Sequence, residues 1–239
     1  MVIINKSRES HQAIISLSGG MDSGTLLALV SQKYDSVLCV LFKYNSKHNK
    51  LERTAAKKLI KYVAKEMHAS IEYLEVDITK CFEHTKSHLL NNDPNIEIPK
   101  GKKYNPENGA LTEVPGRNLI FSSILASIAQ SRGIKDIFLG IQNDDYQPYP
   151  DCRPEFIASL DTTIRLSSDK KVRILTPFLH YKKFEILQAG LKVINKKMYK
   201  YTRTCYTLDK VACGKCSTCL QRRNAFEKCG KVDLIDYQE

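Results

Sequence analysis

Ala13-Ile14-Ile15-Ser16-Leu17-Ser18-Gly19-Gly20-Met21-Asp22-Ser23-Gly24-Thr25-Leu26-Leu27-Ala28-Leu29-Val30 is the stretch that decides the fold. Its first five residues form an apolar run that reads as a buried strand, and Gly24–Val30 read as the opening of a helix. Ser18–Ser23 is therefore a strand-to-helix turn. Two glycines let the backbone bend tightly and leave amide N–H groups unobstructed at a helix N-terminus. There the helix dipole favours an anion, and phosphate is the expected guest. No Lys follows the glycines, so the turn is not a Walker A loop. An ordinary serine-capped turn has much the same composition, and the turn alone leaves both readings open.

Outward from this unit, strand and helix signals alternate. Ser36–Phe42 reads as a second strand, followed by an amphipathic helix over His48–Met67 with Leu51, Ala55, Leu59, Ile60 and Val63 at helical spacing. Ile71–Val76 alternates as a third strand. The segment Asp93–Glu113, rich in Asn, Pro, Lys and Gly, reads as a long loop of the kind that serves as a lid or binding segment. A helix begins near Arg117 and leads to a strand over Asp136–Ile141. Pro154 opens another helix with proline in its first turn, Val172–Leu175 is a fifth strand, and Lys183 opens a late helix. The alternation predicts an α/β, Rossmann-like parallel sheet with helices on both faces. Composition shifts only near Tyr201, which divides the chain into an α/β domain over 1–200 and a cysteine-rich tail over 201–239.

The chain has 239 residues, 42% hydrophobic and 26% charged, enough to bury one large core. Its first ten residues lack a signal peptide's apolar stretch, and no run reaches membrane-spanning length; a cytoplasmic protein without membrane contact is expected. The net charge of +11 suits acidic partners. Its lysines and arginines are nevertheless dispersed and interleaved with acids, as on a solvated face, which argues against nucleic acid.

Cys205, Cys213, Cys216 and Cys219 give C-x7-C-x2-C-x2-C. Two residues between thiolates let one turn present both sulfurs to a single ion, and four thiolates describe a closed structural zinc site. An iron–sulfur cluster is the rival reading. Cys229 lies beyond the cluster and reads as free, and Cys39 reads as a core residue. On this reading Cys216→Ser costs stability more than it alters the nucleotide pocket.

The S-G-G-x-D-S turn resembles the PP-loop of ATP pyrophosphatases. With Val114-Pro115-Gly116-Arg117-Asn118, Tyr149-Pro150-Asp151-Cys152-Arg153, Lys183-Phe184-Glu185-Ile186 and Cys213-Gly214-Lys215-Cys216-Ser217-Thr218-Cys219-Leu220-Gln221-Arg222-Arg223, the order and spacing resemble the QueC family from about Ala13 to Phe226. The resemblance implies a ligase, a 7-cyano-7-deazaguanine synthase using ATP and Mg²⁺ and carrying Zn²⁺. Such an enzyme adenylates the carboxylate of 7-carboxy-7-deazaguanine, converts it with ammonia to an amide, and after a second adenylation to the nitrile. It implies Ser18, Gly19, Gly20, Met21, Asp22 and Ser23 for phosphate, with Asp22 also at a metal. Arg117 and Lys183 become the cations at the reacting phosphates or carboxylate. Asn118, Asp145, Tyr149, Asp151 and Arg153 fall to the deazaguanine, with Asp145 or Asp151 accepting from its guanine-like edge. A homodimer follows by analogy.

The chain departs from the family pattern where Lys43 replaces an acid at the end of the second strand, where Gln147-Pro148 replaces a Ser-Gly pair, and where Phe184 follows the late lysine. A charge reversal at Lys43 beside the nucleotide edge is not neutral in a dry site. Family members also occur in anti-phage systems, Qat operons and type IV CBASS, where a partner protein's amine can replace ammonia. The departures place the nucleophile, ammonia or a protein amine, at issue. A zinc-containing tRNA-binding or tRNA-modifying PP-loop protein is the third reading, against which the dispersed charge stands.

Overall fold

A computed structural model describes residues 9–92, 111–146 and 148–238. Five parallel strands run in the order β3-β2-β1-β4-β5: β1 (Glu9–Ser16), β2 (Tyr34–Lys43), β3 (Ser70–Asp77), β4 (Asp136–Phe138) and β5 (Arg173–Leu175). The helices are α1 (Met21–Lys33), α2 (Asn49–Met67), α3 (Arg117–Arg132), α4 (Pro154–Ser167), α5 (Lys183–Leu191) and α6 (Ser217–Lys228). The α/β class expected from the alternation is the observed one.

Period-two alternation along the strands sorts the core into two layers. Ala13, Ile15, Val37, Cys39, Leu41 and Phe138 face one layer, where Leu27, Leu59, Ile186 and Phe226 bring in α1, α2, α5 and α6. Ile14, Leu38, Val40 and Ile137 face the other, against Leu125 and Ala129 of α3 and Leu160 of α4. Central strands covered on both sides must be apolar on both, and Val37–Phe42 is buried at every residue.

The bounds of β1 and β4 differ from the sequence reading. β1 starts at Glu9, so part of the expected N-terminal extension belongs to the sheet. β4 stops at Phe138 rather than Ile141. Leu139 N still donates to Leu175 O at 3.0 Å, and the chain then leaves the sheet to pass the start of α1, with the Cβ position of Gly140 3.6 Å from Ser23 Cα. The expected loop over Asp93–Glu113 lies, from 93 to 110, outside the described residues, as do Gln147 and residues 1–8.

β1 sends its chain to β2 on one side while β4 lies on the other, so β1 and β4 flank the switch point of the sheet. The C-terminal ends of strands at such a point diverge and leave a crevice. The site is built there.

Candidate active site

The turn after β1 closes around its own serines. Ser18 Oγ accepts from Gly20 N at 3.2 Å and pairs with Ser23 Oγ at 3.0 Å, while Ser23 Oγ also donates to Gly20 O at 3.3 Å. Gly20 N-caps α1, and the first amides of any helix lack intrahelical partners. Gly19 has φ +84°, and a Cβ there would stand 2.4 Å from Glu52 O and 2.8 Å from Ala56 N of α2. Only glycine fits between the turn and α2.

The turn forms one wall of a cavity of about 260 Å³. α5 adds Lys183, whose Nζ donates to Asp22 Oδ2 at 2.5 Å. Burial works against the lysine's charge. Asp22, Asp145 and Asp144 outweigh it and push the Lys183 pKa above its ordinary value, so this ammonium stays protonated at neutral pH. The other Asp22 oxygen, Oδ1, is buried and has no hydrogen-bond partner.

α3 starts at the same edge because Gly116, at φ +67°, turns the chain into it. Asp151 accepts from Asn118 N at 2.9 Å, and Asn118 Nδ2 donates to Asp151 O and Cys152 Sγ, both at 3.3 Å. Arg117 projects into the cavity, where it donates to Tyr44 Oη at 3.4 Å, with the guanidinium 5.9 Å from that ring's centre. Burial opposes its charge; Tyr44, Tyr149, Asp151 and Cys152 outweigh burial and raise its pKa. Among the described residues no carboxylate pairs with it directly. A half-buried cation on a cavity wall whose direct hydrogen bond is to a neutral oxygen is a receptor for an anion.

Of the site residues expected from the sequence, the cavity wall includes Ser18, Gly20, Met21, Asp22, Ser23, Arg117, Asn118, Asp145, Tyr149 and Lys183. Gly19 shapes the turn from behind. Asp151 and Arg153 do not line the wall: Asp151 holds the start of α3, and Arg153 Nε donates to Tyr146 O at 3.1 Å. Tyr149 keeps its hydroxyl protonated through burial, and Thr112 Oγ1 lies 2.9 Å from it. Burial also pushes the Cys152 thiol up, which leaves it an un-ionised wall residue.

The departures fall elsewhere. Strand alternation puts Phe42 and Tyr44 on the cavity and turns Lys43 outward, where it pairs with Asp77 at 2.6 Å in solvent. The charge reversal expected beside the nucleotide edge therefore does not reach the site. Phe184 packs on the α5–α6 layer with Lys228 Nζ 5.4 Å above its ring, and Pro148 is buried off the wall.

Two groups of wall residues escaped the sequence reading. His48, Asn49, Glu52 and Arg53 come from the start of α2, and Arg203, Thr204, Tyr206, Thr218 and Gln221 come from the tail. The tail is tied directly to the phosphate turn by Arg203 N, which donates to Gly19 O at 2.8 Å. The histidine and glutamate four residues apart at a helix start carried a readable signal. The tail residues carried none, because their place depends on how the cysteines fold.

Cys205, Cys213, Cys216 and Cys219 are buried, with sulfurs all within 4.8 Å of one another. Cys216 N-caps α6 and Cys219 lies in its first turn. Backbone N–H groups of Cys213 and Cys216 donate to Cys205 Sγ and Cys213 Sγ, each at 3.3 Å, which favours thiolates. Four sulfurs this close converge on one tetrahedral ion. A multi-iron cluster, whose thiolates sit on separate irons, needs them further apart. Buried Arg222 locks the tail down, holding Asp233 through two bonds (2.6 and 2.9 Å) and Tyr199 O at 2.8 Å.

A parallel α/β sheet with a glycine turn, a lysine–aspartate pair and a half-buried arginine around one cavity at its switch point defines a Rossmann-like α/β protein with a candidate anion site. The family model "Queuosine biosynthesis protein QueC" matches residues 12–230, and the chain belongs to this family. Relatives named 7-cyano-7-deazaguanine synthase include proteins of Marinomonas sp. (36% identical, covering 96% of this chain and 99% of the relative), Caldicellulosiruptor bescii (37%, 95% and 97%) and Methanospirillum hungatei (35%, 95% and 100%). Among the described residues no helix is long and apolar enough to cross a membrane.

Proposed function

We propose that this chain is an ATP-dependent ligase that adenylates the carboxylate of 7-carboxy-7-deazaguanine and converts it with ammonia, through the amide, to 7-cyano-7-deazaguanine. The observation that carries the reading is the opening of the phosphate turn and of Arg117, which has no direct carboxylate ion pair among the described residues, onto one cavity. A carboxylate is a poor electrophile until its oxygen belongs to a good leaving group. A site that adenylates it must hold two anions together, one at the turn and one at a cation.

In this reading the amides of α1 and Lys183 bind the phosphates, and charge building at the α-phosphate meets fixed donors in a dry site. Arg117 orients the substrate carboxylate. Asp145 and Tyr149 lie on the wall where the guanine-like edge fits, and Asp151 and Arg153 act behind it by fixing Asn118 and the loop to Tyr146. The orphaned Asp22 Oδ1 suits Mg²⁺, which when bound supplies further charge neutralisation at the phosphates. The four thiolates suit a structural Zn²⁺. Ammonia rather than a protein amine is the acceptor, because Lys43 and Phe184 leave the wall unchanged.

The test is incubation with ATP, Mg²⁺, 7-carboxy-7-deazaguanine and ammonium, with mass spectrometry of the products. Nitrile is expected together with pyrophosphate. Amide as the final product would assign the chain a different end point, and absence of pyrophosphate release with this substrate sinks the reading.

A further inference from the structure

His48 is 3% exposed, lines the cavity, and precedes α2 as its N-cap residue without any side-chain capping bond. Capping does not explain why a histidine stands there. Its Nε2 lies 3.2 Å from Glu52 Oε1, one turn along the same helix, and its Nδ1 is buried with no hydrogen-bond partner. The ring packs against Tyr206 of the tail at 5.3 Å between centres. Burial pushes the Glu52 carboxyl up, but His48, Arg117 and Asn49 outweigh it and hold the group below its ordinary value, so it stays ionised at neutral pH. In the neutral ring, a carboxylate on Nε2 holds the proton on that nitrogen and leaves Nδ1 as the acceptor. A buried ring nitrogen without a partner costs free energy, and such groups in native sites call for a ligand or a chemical role.

The dyad also has a place relative to the reaction. Glu52 and Arg117 interact electrostatically, and Arg117 and Tyr44 bond to each other on the same wall. The histidine therefore lines the same cavity as Arg117, which the reading above assigns to the substrate carboxylate.

We propose that His48 is the proton acceptor of acyl transfer, with Glu52 as its positioning residue; this rests on the synthase reading above. Ammonia attacks the acyl-adenylate carbon, and the N–C bond forms. The adduct nitrogen loses a proton to His48 Nδ1, the C–O bond to AMP breaks, and AMP leaves with the electron pair. The products are amide and AMP, and the proton on His48 returns to solvent. When the amide oxygen is adenylated in turn, the nitrogen must shed two further protons on the way to the nitrile. The same ring nitrogen is placed to take them one at a time.

The experiment separates activation from transfer in the full-length chain. His48→Gln keeps a donor toward Glu52 and removes the basic nitrogen. Carboxylate-dependent ATP–pyrophosphate exchange is expected within about threefold of wild type, while amide and nitrile formation from ammonium falls about 100-fold or more, the usual worth of a general base. Hydroxylamine, whose less basic nitrogen sheds its proton to water, is expected to recover acyl transfer. Glu52→Gln, which still accepts from Nε2, should retain more amide formation than Glu52→Leu, and in both the loss of amide formation should exceed any loss of exchange. Unchanged amide formation in His48→Gln overturns the base, and so does a parallel loss of exchange and transfer, which assigns His48 to nucleotide binding or to folding. A wild-type chain without exchange overturns the synthase reading and this step with it.

Discussion

At the scale of single residues, the site is organised by charges that need partners. Lys183 and Asp22 are each other's partner at 2.5 Å, so truncating either to alanine strands a largely buried charge and confuses catalysis with stability. Lys183→Met and Asp22→Asn leave the same partner charge behind but keep the side-chain volume, which removes cavity formation from the comparison. Each should lower pyrophosphate release about 100-fold or more, the scale of losing a preorganised charge at a phosphate, and far-ultraviolet circular dichroism should stay unchanged. Normal turnover in either would remove that residue from the phosphate site. Lys43 supplies the opposite expectation. Its ammonium reaches Asp77 in solvent, and Lys43→Asp should leave pyrophosphate release within about twofold, as surface changes away from a site do. The turn residues were legible in the sequence as a strand-to-helix turn because local geometry fixes where glycines and a helix start must fall. Lys43 was misread because a position in a motif does not show which face of the strand it takes. One residue either way along β2 separates solvent from the cavity.

At the scale of elements, the strand and helix signals were legible because each has a period, and the core follows that period. What escaped was contact between elements distant in sequence. Gly190 in α5 is an example: it has no turn to make, yet a Cβ there would stand 2.0 Å from Tyr199 Oη and 2.9 Å from Thr25 Cγ2 of α1. Thr25 and Tyr199 share a buried hydrogen bond of 2.9 Å at this contact. The glycine lets α5 approach α1 closely enough to hold Lys183 over Asp22. Gly190→Ala should cost about 1–3 kcal/mol by overpacking, read as a lower urea midpoint at unchanged slope. The variant should also lose pyrophosphate release beyond its loss of folded protein. A stability change with full activity in the folded fraction would detach α5 packing from the site.

At the scale of the whole molecule, the tail proves to be part of the site. The sequence presents it as a metal-bound appendage, and on that view Cys216→Ser spares the nucleotide pocket. The structure attaches the tail to the main domain at several points, three of which bear on the site. Phe226 enters the core layer of α1 and α5, Arg222 grips Tyr199 O, and Arg203 N holds Gly19 O of the phosphate turn. Cys205 lies between Thr204 and Tyr206, and Cys219 follows Thr218; Thr204, Tyr206 and Thr218 all line the cavity. An ion that fixes the four sulfurs therefore fixes a wall of the pocket, and metal and nucleotide should be thermodynamically linked. Removing the metal with a chelator should weaken ATP binding about tenfold or more at a temperature where the α/β core stays folded. By reciprocity ATP should tighten metal binding by the same factor. Both are measured in one titration, with a thiol-sensitive metal indicator and a fluorescent ATP analogue. Cys216→Ser should reproduce the loss of affinity, and Arg222→Met, which frees the tail without touching a sulfur, should reproduce part of it. If ATP binds the metal-free chain with undiminished affinity, the tail is the separate appendage that its sequence suggests.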